Sequence, residues 1–319
     1  MSRFWLPDPK GDNIMTDFKG RTAVLTGAAS GFGLECARIA AGEGMNVVMV
    51  DVQADALASA RAEIEAIAAP QGGRVLARQV DVASAQAMQA LAAEVLAQLG
   101  APHLVFNNAG VATGGLVWEA TPQDWAWTLG VNLWGVIHGV RLFTPMMLAA
   151  ARADPAWRGH IVNTASMAGL LSPPNMGVYN VSKHAVVALS ETLYQDLALV
   201  TDQVQAHVLC PYFVPTGISA SGRNRPAGLQ VDAPLTRAQL IGKAMSEKAV
   251  GSGKVSAADV AVKVFAALRE GRFYIYSHPK ALGSVQTRLE DLVQGRNPTD
   301  PFKDKPEVGQ QLRTALRGA

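Results

Sequence analysis

Short runs of consecutive apolar, largely β-branched residues alternate along the chain with longer alanine-rich stretches whose apolar positions recur every three or four residues. The runs are Arg21–Thr26, Asn46–Asp51, Arg74–Val80, His103–Asn107, His160–Thr164, Gln205–Cys210 and Phe273–Tyr276. Between them lie helix-like stretches at Gly33–Glu43, Ala54–Ala68, Ser84–Leu99, Val131–Ala151, Val178–Val200 and Ala257–Arg269. A strand that is apolar along its whole length is buried on both faces, the condition of a parallel sheet covered on each side. Strict alternation of strand and helix then calls for right-handed crossovers. The pattern predicts an α/β fold: a doubly wound, seven-stranded, mostly parallel sheet with helices on both faces. No internal repeat of fixed period interrupts it.

Three regions fall outside the rhythm. Residues 1–17 read as an N-terminal extension and residues 279–319 as a C-terminal tail, with weak periodicity around Val285–Val293. Between them, 18–278 read as a single domain. Its stretch at about 211–255, rich in Gly, Pro, Ser and Lys, separates the sixth strand from the next helix. A long insertion inside a compact domain is usually functional, so it is read as a lid over a site.

Charge narrows the classes. With 28 Lys+Arg against 26 Asp+Glu the net charge is +2, too balanced for a protein that chooses nucleic acid or an anionic membrane as partner. No stretch approaches the ~18 uninterrupted apolar residues of a transmembrane helix. The first residues carry Asp8, Lys10 and Asp12 and lack the apolar core of a signal peptide. Only Cys36 and Cys210 are present, which leaves no disulfide framework and no zinc or other metal site. The expectation is a soluble, cytoplasmic, globular protein.

Candidate chemistry begins after the first strand, at Thr26-Gly27-Ala28-Ala29-Ser30-Gly31-Phe32-Gly33. Glycines let the backbone turn tightly and approach a pyrophosphate, and the helix that follows offers free N–H groups and a positive dipole end. This is the physics of the Rossmann-type dinucleotide fold, in the spacing G-x-x-x-G-x-G. Asp51 closes the second strand, placed to accept bonds from the adenosine ribose hydroxyls and to repel a 2′-phosphate. Its neighbours Ser30, Val52 and Gln53 supply no cation, so NAD is favoured over NADP. Asp81 and Val82, after the third strand, face the adenine, and Asn108-Ala109-Gly110 close the fourth strand, all at carboxyl ends where open sheets bind ligands.

Tyr179 and Lys183 form Y-x-x-x-K, on one face of a helix. A free phenol titrates near ~10, and a nearby ammonium together with an oxidised nicotinamide ring would lower that value enough for proton transfer. Ser166, just past the fifth strand, is placed to bond a substrate oxygen. Asn132 could hold a water linking Lys183 to solvent. With TGAASGFG, Asp51, Asp81, NNAG (Asn107–Gly110), Asn132, Ser166 and YNVSK (Tyr179–Lys183) in order, the sequence resembles the short-chain dehydrogenase/reductase family over roughly Phe18 to Tyr276.

That resemblance implies a catalytic tetrad of Asn132, Ser166, Tyr179 and Lys183, with Lys183 also holding the nicotinamide ribose. It implies hydride transfer between an alcohol carbon and nicotinamide, and a cofactor site that includes Pro211 and a carboxamide-binding Thr216. The family commonly assembles as dimers or tetramers through two long helices, here Val131–Ala151 and Val178–Val200. One position departs from its pattern: Tyr212 stands where the family has glycine, and would reshape the nicotinamide pocket or reach substrate. Apolar, uncharged sequence after Ser166 points to a hydrophobic secondary alcohol or ketone, with Trp118, Met167, Pro173, Met176 and Tyr212 as substrate contacts. Competing readings are an NAD-binding sensor or scaffold without turnover, which would not need the tetrad, and a sugar-nucleotide epimerase, which would be longer and differently spaced.

Overall fold

The computed structural model describes Met15 and residues 17–318; the expected extension at 1–17 therefore lies outside the described residues except for Met15 and Asp17. Seven strands, β1 (Thr22–Thr26), β2 (Asn46–Asp51), β3 (Val75–Gln79), β4 (Leu104–Asn107), β5 (Gly159–Thr164), β6 (Val204–Cys210) and β7 (Tyr274–Tyr276), form one sheet in the order β3-β2-β1-β4-β5-β6-β7. Every pairing is parallel, so the expectation of a mostly parallel sheet is met without an exception. Helices α1 (Gly31–Gly42), α2 (Ala54–Ala68) and α3 (Ala85–Leu99) make the first crossovers.

Burial on both faces explains the unbroken apolar strands. Ala23, Leu25, Val47 and Met49 pack into one core with Cys36, Ile64 and Phe265, while their neighbours Val24, Val48 and Val50 pack into the other with Met88, Phe143 and Ile161. Alternate residues of one strand thus point to opposite layers, and both layers are buried.

Four helical features extend the sequence pattern. The helix expected at Val131–Ala151 begins earlier, as α4 (Pro122–Leu129), whose start is fixed by a capping box between Thr121 and Asp124 with Pro122 in the first turn. It continues through a π-helical turn at Gly130–Trp134 into α5 (Gly135–Ala153). This combined helix is long and apolar enough to cross a membrane by length and composition, a point the count of uninterrupted residues passed over. Its α5 part makes the crossover between β4 and β5 and packs on both, the position of a core helix. After α6 (Gly177–Val200), the stretch 211–255 contains α7 (Arg237–Gly251), and α8 (Ala257–Glu270) precedes β7. The tail forms α9 (Leu282–Val293) and α10 (Pro306–Arg317), and α10 packs against α7.

Several buried polar side chains of the sheet bond one another, although Asn107 Oδ1 and His160 Nε2 stay unpaired. Asn107 Nδ2 donates to Asn163 Oδ1 at 2.8 Å, and Asn163 Nδ2 to Ser190 Oγ at 3.0 Å. Gly139 of α5 leaves room for this chain, since a Cβ there would stand 1.9 Å from Asn107 Oδ1. His160 and His207 meet at 2.8 Å, both fully enclosed. The bond from His207 Nδ1 to the Arg272 carbonyl (2.8 Å) requires the proton on Nδ1, so His207 Nε2 accepts and His160 Nδ1 donates.

Burial holds both rings neutral, pushing His207 down to about 4 and His160 in the same direction. The unfolded chain, with histidines near ~6.5, takes up these protons first. Stability is therefore full above that value and falls as pH drops toward about 4. Denaturation midpoints measured between neutral pH and pH ~4.5 should fall by an amount worth on the order of 2 kcal/mol for His207 alone. The fall should be smaller in His207→Gln; an identical profile in that variant would show that the pair does not titrate this way.

Candidate active site

The carboxyl ends of β1, β4 and β5 are tied together by three side chains. Thr26 Oγ1 accepts the N–H groups of Asn108 (2.8 Å) and Ala109 (3.0 Å), and Asn108 Nδ2 donates to the Thr26 carbonyl at 3.0 Å. Thr164 Oγ1 donates to Asn108 Oδ1 at 3.3 Å. The loop after β1 can then fold back on itself because Gly27 and Gly31 adopt left-handed φ values of 65° and 56°. Gly33 is more tightly placed: a Cβ there would lie 2.1 Å from the Gly27 carbonyl oxygen.

The start of α1 is left open. Ser30 at its N-cap gives no side-chain bond to the first turn, and no acidic residue occupies that turn. The first N–H groups of a helix have no intrahelical acceptor, so those of Gly31, Phe32 and Gly33 form a receptacle for an anion. Asp51 lies beside it, buried, with Oδ2 accepting from Ala29 N and Oδ1 from Gln53 N, both at 3.0 Å. Val52 is exposed next to it. Asp81 is exposed at the end of the next strand with Oδ1 bonded to Ala83 N at 2.9 Å, and Val82 is buried under Gly135. Pro211 offers its carbonyl to Ser166 Oγ and Met167 N, and the Thr216 methyl lies 3.4 Å from where a Cβ on Gly31 would stand.

The four expected catalytic residues come from three elements. Tyr179 and Lys183 occupy the first turns of α6, both buried, with Lys183 Nζ 5.7 Å from the centroid of the Tyr179 ring. Ser166 follows β5 in extended conformation; its Oγ accepts from Ala168 N at 3.1 Å, donates to the Pro211 carbonyl at 3.3 Å and faces the Tyr179 phenol. Asn132 lies in the π-helical turn, where its amide donates to the Val111 carbonyl (3.0 Å) and Ser182 Oγ (3.1 Å) and accepts from Val111 N (2.8 Å). Both amide hydrogens are thus used, one on the loop after β4 and one on α6.

Burial raises the Tyr179 phenol above its ordinary 10, and Ser166 pulls it the other way. Lys183 donates to the Thr164 carbonyl at 2.8 Å and is itself driven down to about 8 by burial. Cradle and cluster adjoin. Ala109 lies 3.0 Å from the position of a Cβ on Gly27, and one on the next residue, Gly110, would stand 3.7 Å from Lys183 Nζ.

The expected substrate contacts are distributed unevenly. Met167 is packed in a core cluster with Ala165, Val186 and Val187. Pro173 accepts from Asn180 Nδ2 at 2.8 Å, and Met176 bridges to Gly115. Trp118 is 77% exposed. Tyr212 is 44% exposed, its ring on Phe213 (4.4 Å between centroids) and edge-on to His278 (5.9 Å).

The stretch 211–255 crosses the carboxyl ends of the strands and is fastened at several points that sequence reading missed. Ser221 Oγ accepts from Ala112 N at 3.0 Å, in the loop after β4. Arg225 pairs with Asp124 at 2.7 Å and stacks on Trp127. Asn175, at φ 63°, donates to the Ala238 carbonyl at 3.0 Å, and Thr236 donates to Glu119 at 2.6 Å. Arg223 reaches Gln53. These pairs are separated by tens to more than a hundred positions, and no local signal in the sequence announces them.

Residues 21–226 match the family model for short chain dehydrogenases. The chain is 32% identical over 285 residues to a "CLA biosynthesis dehydrogenase/reductase" of Lactiplantibacillus plantarum, covering 88% of this chain and 95% of that one. To the "1-deoxy-11-beta-hydroxypentalenate dehydrogenase" of Streptomyces avermitilis it is 35% identical, over 85% of this chain and 87% of the relative. A crystal structure of a short-chain dehydrogenase/reductase from Burkholderia phymatum in complex with NAD superposes with a TM-score of 0.85 at 49% identity, covering 90% of this chain and 99% of that one.

Proposed function

The chain belongs to the short-chain dehydrogenase family of oxidoreductases, and from that premise we propose that it is an NAD-dependent dehydrogenase acting on a hydrophobic secondary alcohol or the matching ketone. The observation that carries this reading is the junction just described: Lys183, beside Tyr179 and its partner Ser166, lies against Gly110, one residue from the contact with the glycine loop. A similar protein binds NAD, and a relative is named as the dehydrogenase of a hydroxylated compound.

The residues fit a dinucleotide. The open N–H groups of Gly31–Gly33 suit its diphosphate, and only glycine at position 33 lets the loop close to them. Asp51 is placed for the adenosine ribose, with Val52, Asp81 and Val82 toward the adenine. Asn108, Ala109, Gly110, Pro211 and Thr216 border the nicotinamide half. NAD, when bound, supplies the acceptor for the hydride of the alcohol.

The chain's own residues manage the proton. Tyr179 takes the hydroxyl proton at its phenolic oxygen, and Ser166 bonds the substrate oxygen as charge develops on it. Lys183 holds positive charge near the phenol and favours its ionised form once a second positive group joins it. Asn132 fixes the loop after β4, and a water for proton relay toward Lys183 is assigned to its backbone in the π-helical turn, where the bonds run five residues along instead of four. Pro173, Met176 and Tyr212 border the reacting carbon, with residues 211–255 as the lid of the unit 18–278.

Following NADH absorbance with a panel of alcohols tests the proposal: apolar secondary alcohols should support turnover and charged ones should not. A protein that binds NADH yet turns over nothing would instead be the sensor. In the same assay Asp51→Ala should lower kcat/KM for NAD by about tenfold, the worth of a hydrogen bond to a charged group, and narrow the preference over NADP. An unchanged preference removes Asp51 from the ribose. Assembly is read as a homodimer or homotetramer through α5 and α6, the second of which exposes Val181, Leu199 and Val200; light scattering at the mass of one chain would refute that.

A further inference from the structure

No cation follows Asp51 in the sequence, yet the fold brings one there. Arg223, in the helical turns Gly217–Asn224 of the lid, donates from Nε to Gln53 Oε1 at 2.9 Å, two residues beyond Asp51. Its Nη1 donates to the carbonyls of Ala220 (2.7 Å) and Gly217 (3.3 Å). Neutral oxygens therefore hold the guanidinium, and it forms no salt bridge among the described residues. Nη2 makes no bond among them, and lies 3.2 Å from where a Cβ on Gly217 would stand. The preceding residue, Thr216, borders Gly31 at the open start of α1. The planar group thus sits against the loop after β2, on the same short segment whose Thr216 borders that helix start.

We propose that Arg223 is a phosphate-binding residue carried by the lid, pairing with a phosphate of the dinucleotide as the lid closes over it. The inference rests on the dinucleotide site proposed above and deepens it. A guanidinium fixed by carbonyl and amide oxygens keeps its full charge and an unspent edge for an anion, and its bonds to phosphate are charge-assisted. Two phosphates come within this chemistry, the diphosphate of either dinucleotide and the 2′-phosphate of NADP. The anchor on Gln53 also means that whatever binds the glycine loop is enclosed between two segments 170 residues apart.

Fluorescence titration of the purified protein with NADH and with NADPH, at low and at high salt and without substrate, tests this. Arg223→Gln should weaken binding about tenfold at low salt and flatten the salt dependence seen in the unaltered protein, because screening acts on the lost charge. Arg223→Lys should keep most of that dependence. Equal losses for the two nucleotides place the contact on the diphosphate; a loss confined to NADPH places it on the 2′-phosphate. If Arg223→Gln binds both as tightly as the unaltered protein, the proposal is wrong. It is also wrong if binding weakens with the salt dependence intact, for then Arg223 only fastens the lid. Failure of the unaltered protein to bind NADH would overturn the dinucleotide site itself, a result distinct from either.

Discussion

Tyr179→Phe should lower kcat for alcohol oxidation by about a thousandfold, within the 10²–10⁴ that a positioned acid or base contributes, while NADH binding stays within about threefold of the unaltered protein. The substitution keeps the ring, which is buried against Lys183, and removes only the oxygen that faces Ser166. Losing one polar contact costs about 1 kcal/mol of stability, too little to unfold the protein, so folding and chemistry separate cleanly. The pH profile supplies a second check. Burial raises the phenol, so the base form is scarce near neutrality, and oxidation by the unaltered enzyme should quicken as pH rises. In Tyr179→Phe that rise should vanish with the activity. Retained turnover with any substrate would take Tyr179 out of the reaction.

Gly33→Ala should be as damaging to cofactor binding as Tyr179→Phe is to turnover. The added carbon would stand 2.1 Å from the Gly27 carbonyl oxygen and 2.9 Å from Asn108 Nδ2. The first is a backbone atom, so the loop itself must move, and with it the N–H groups at the start of α1. NADH affinity should fall at least a hundredfold, with a lowered melting temperature, because overpacking against backbone costs about 1–3 kcal/mol. Gly42→Ala in the same helix is the control. Nothing lies within 4 Å of a Cβ at that position, and it should leave affinity unchanged. A Gly33→Ala protein that binds NADH normally would show that the loop is not the cofactor cradle.

How much of this was legible beforehand depends on how far each feature reaches along the chain. The five inner strands were visible as apolar runs because parallel strands need both faces buried, the half-exposed edge strands β3 and β7 showed more weakly, and the glycine loop, Asp51 and Tyr179–Lys183 are local patterns. The start at Pro122 was missed because α4 and the π-helical turn break the periodicity that marks α5. The lid concealed α7, whose mixture of Lys, Gly and Ser carries no strong stripe. Long-range pairs such as Arg223 with Gln53 and Arg225 with Asp124 left no local trace, since only the folded topology brings them together. Burial is the larger influence on the phenol and on the ammonium, a property of the packed site that residue spacing does not reveal.

Hydride transfer from a carbinol carbon is the claim beneath every assignment made to the catalytic cluster, and isotopic labelling reads it without recourse to mutants. An apolar secondary alcohol that supports turnover, carrying deuterium on its carbinol carbon, would be oxidised with NAD and the nucleotide product weighed by mass spectrometry. The account predicts NADH one mass unit heavier than that from unlabelled alcohol. NADH of unaltered mass, formed at an undiminished rate, would contradict it.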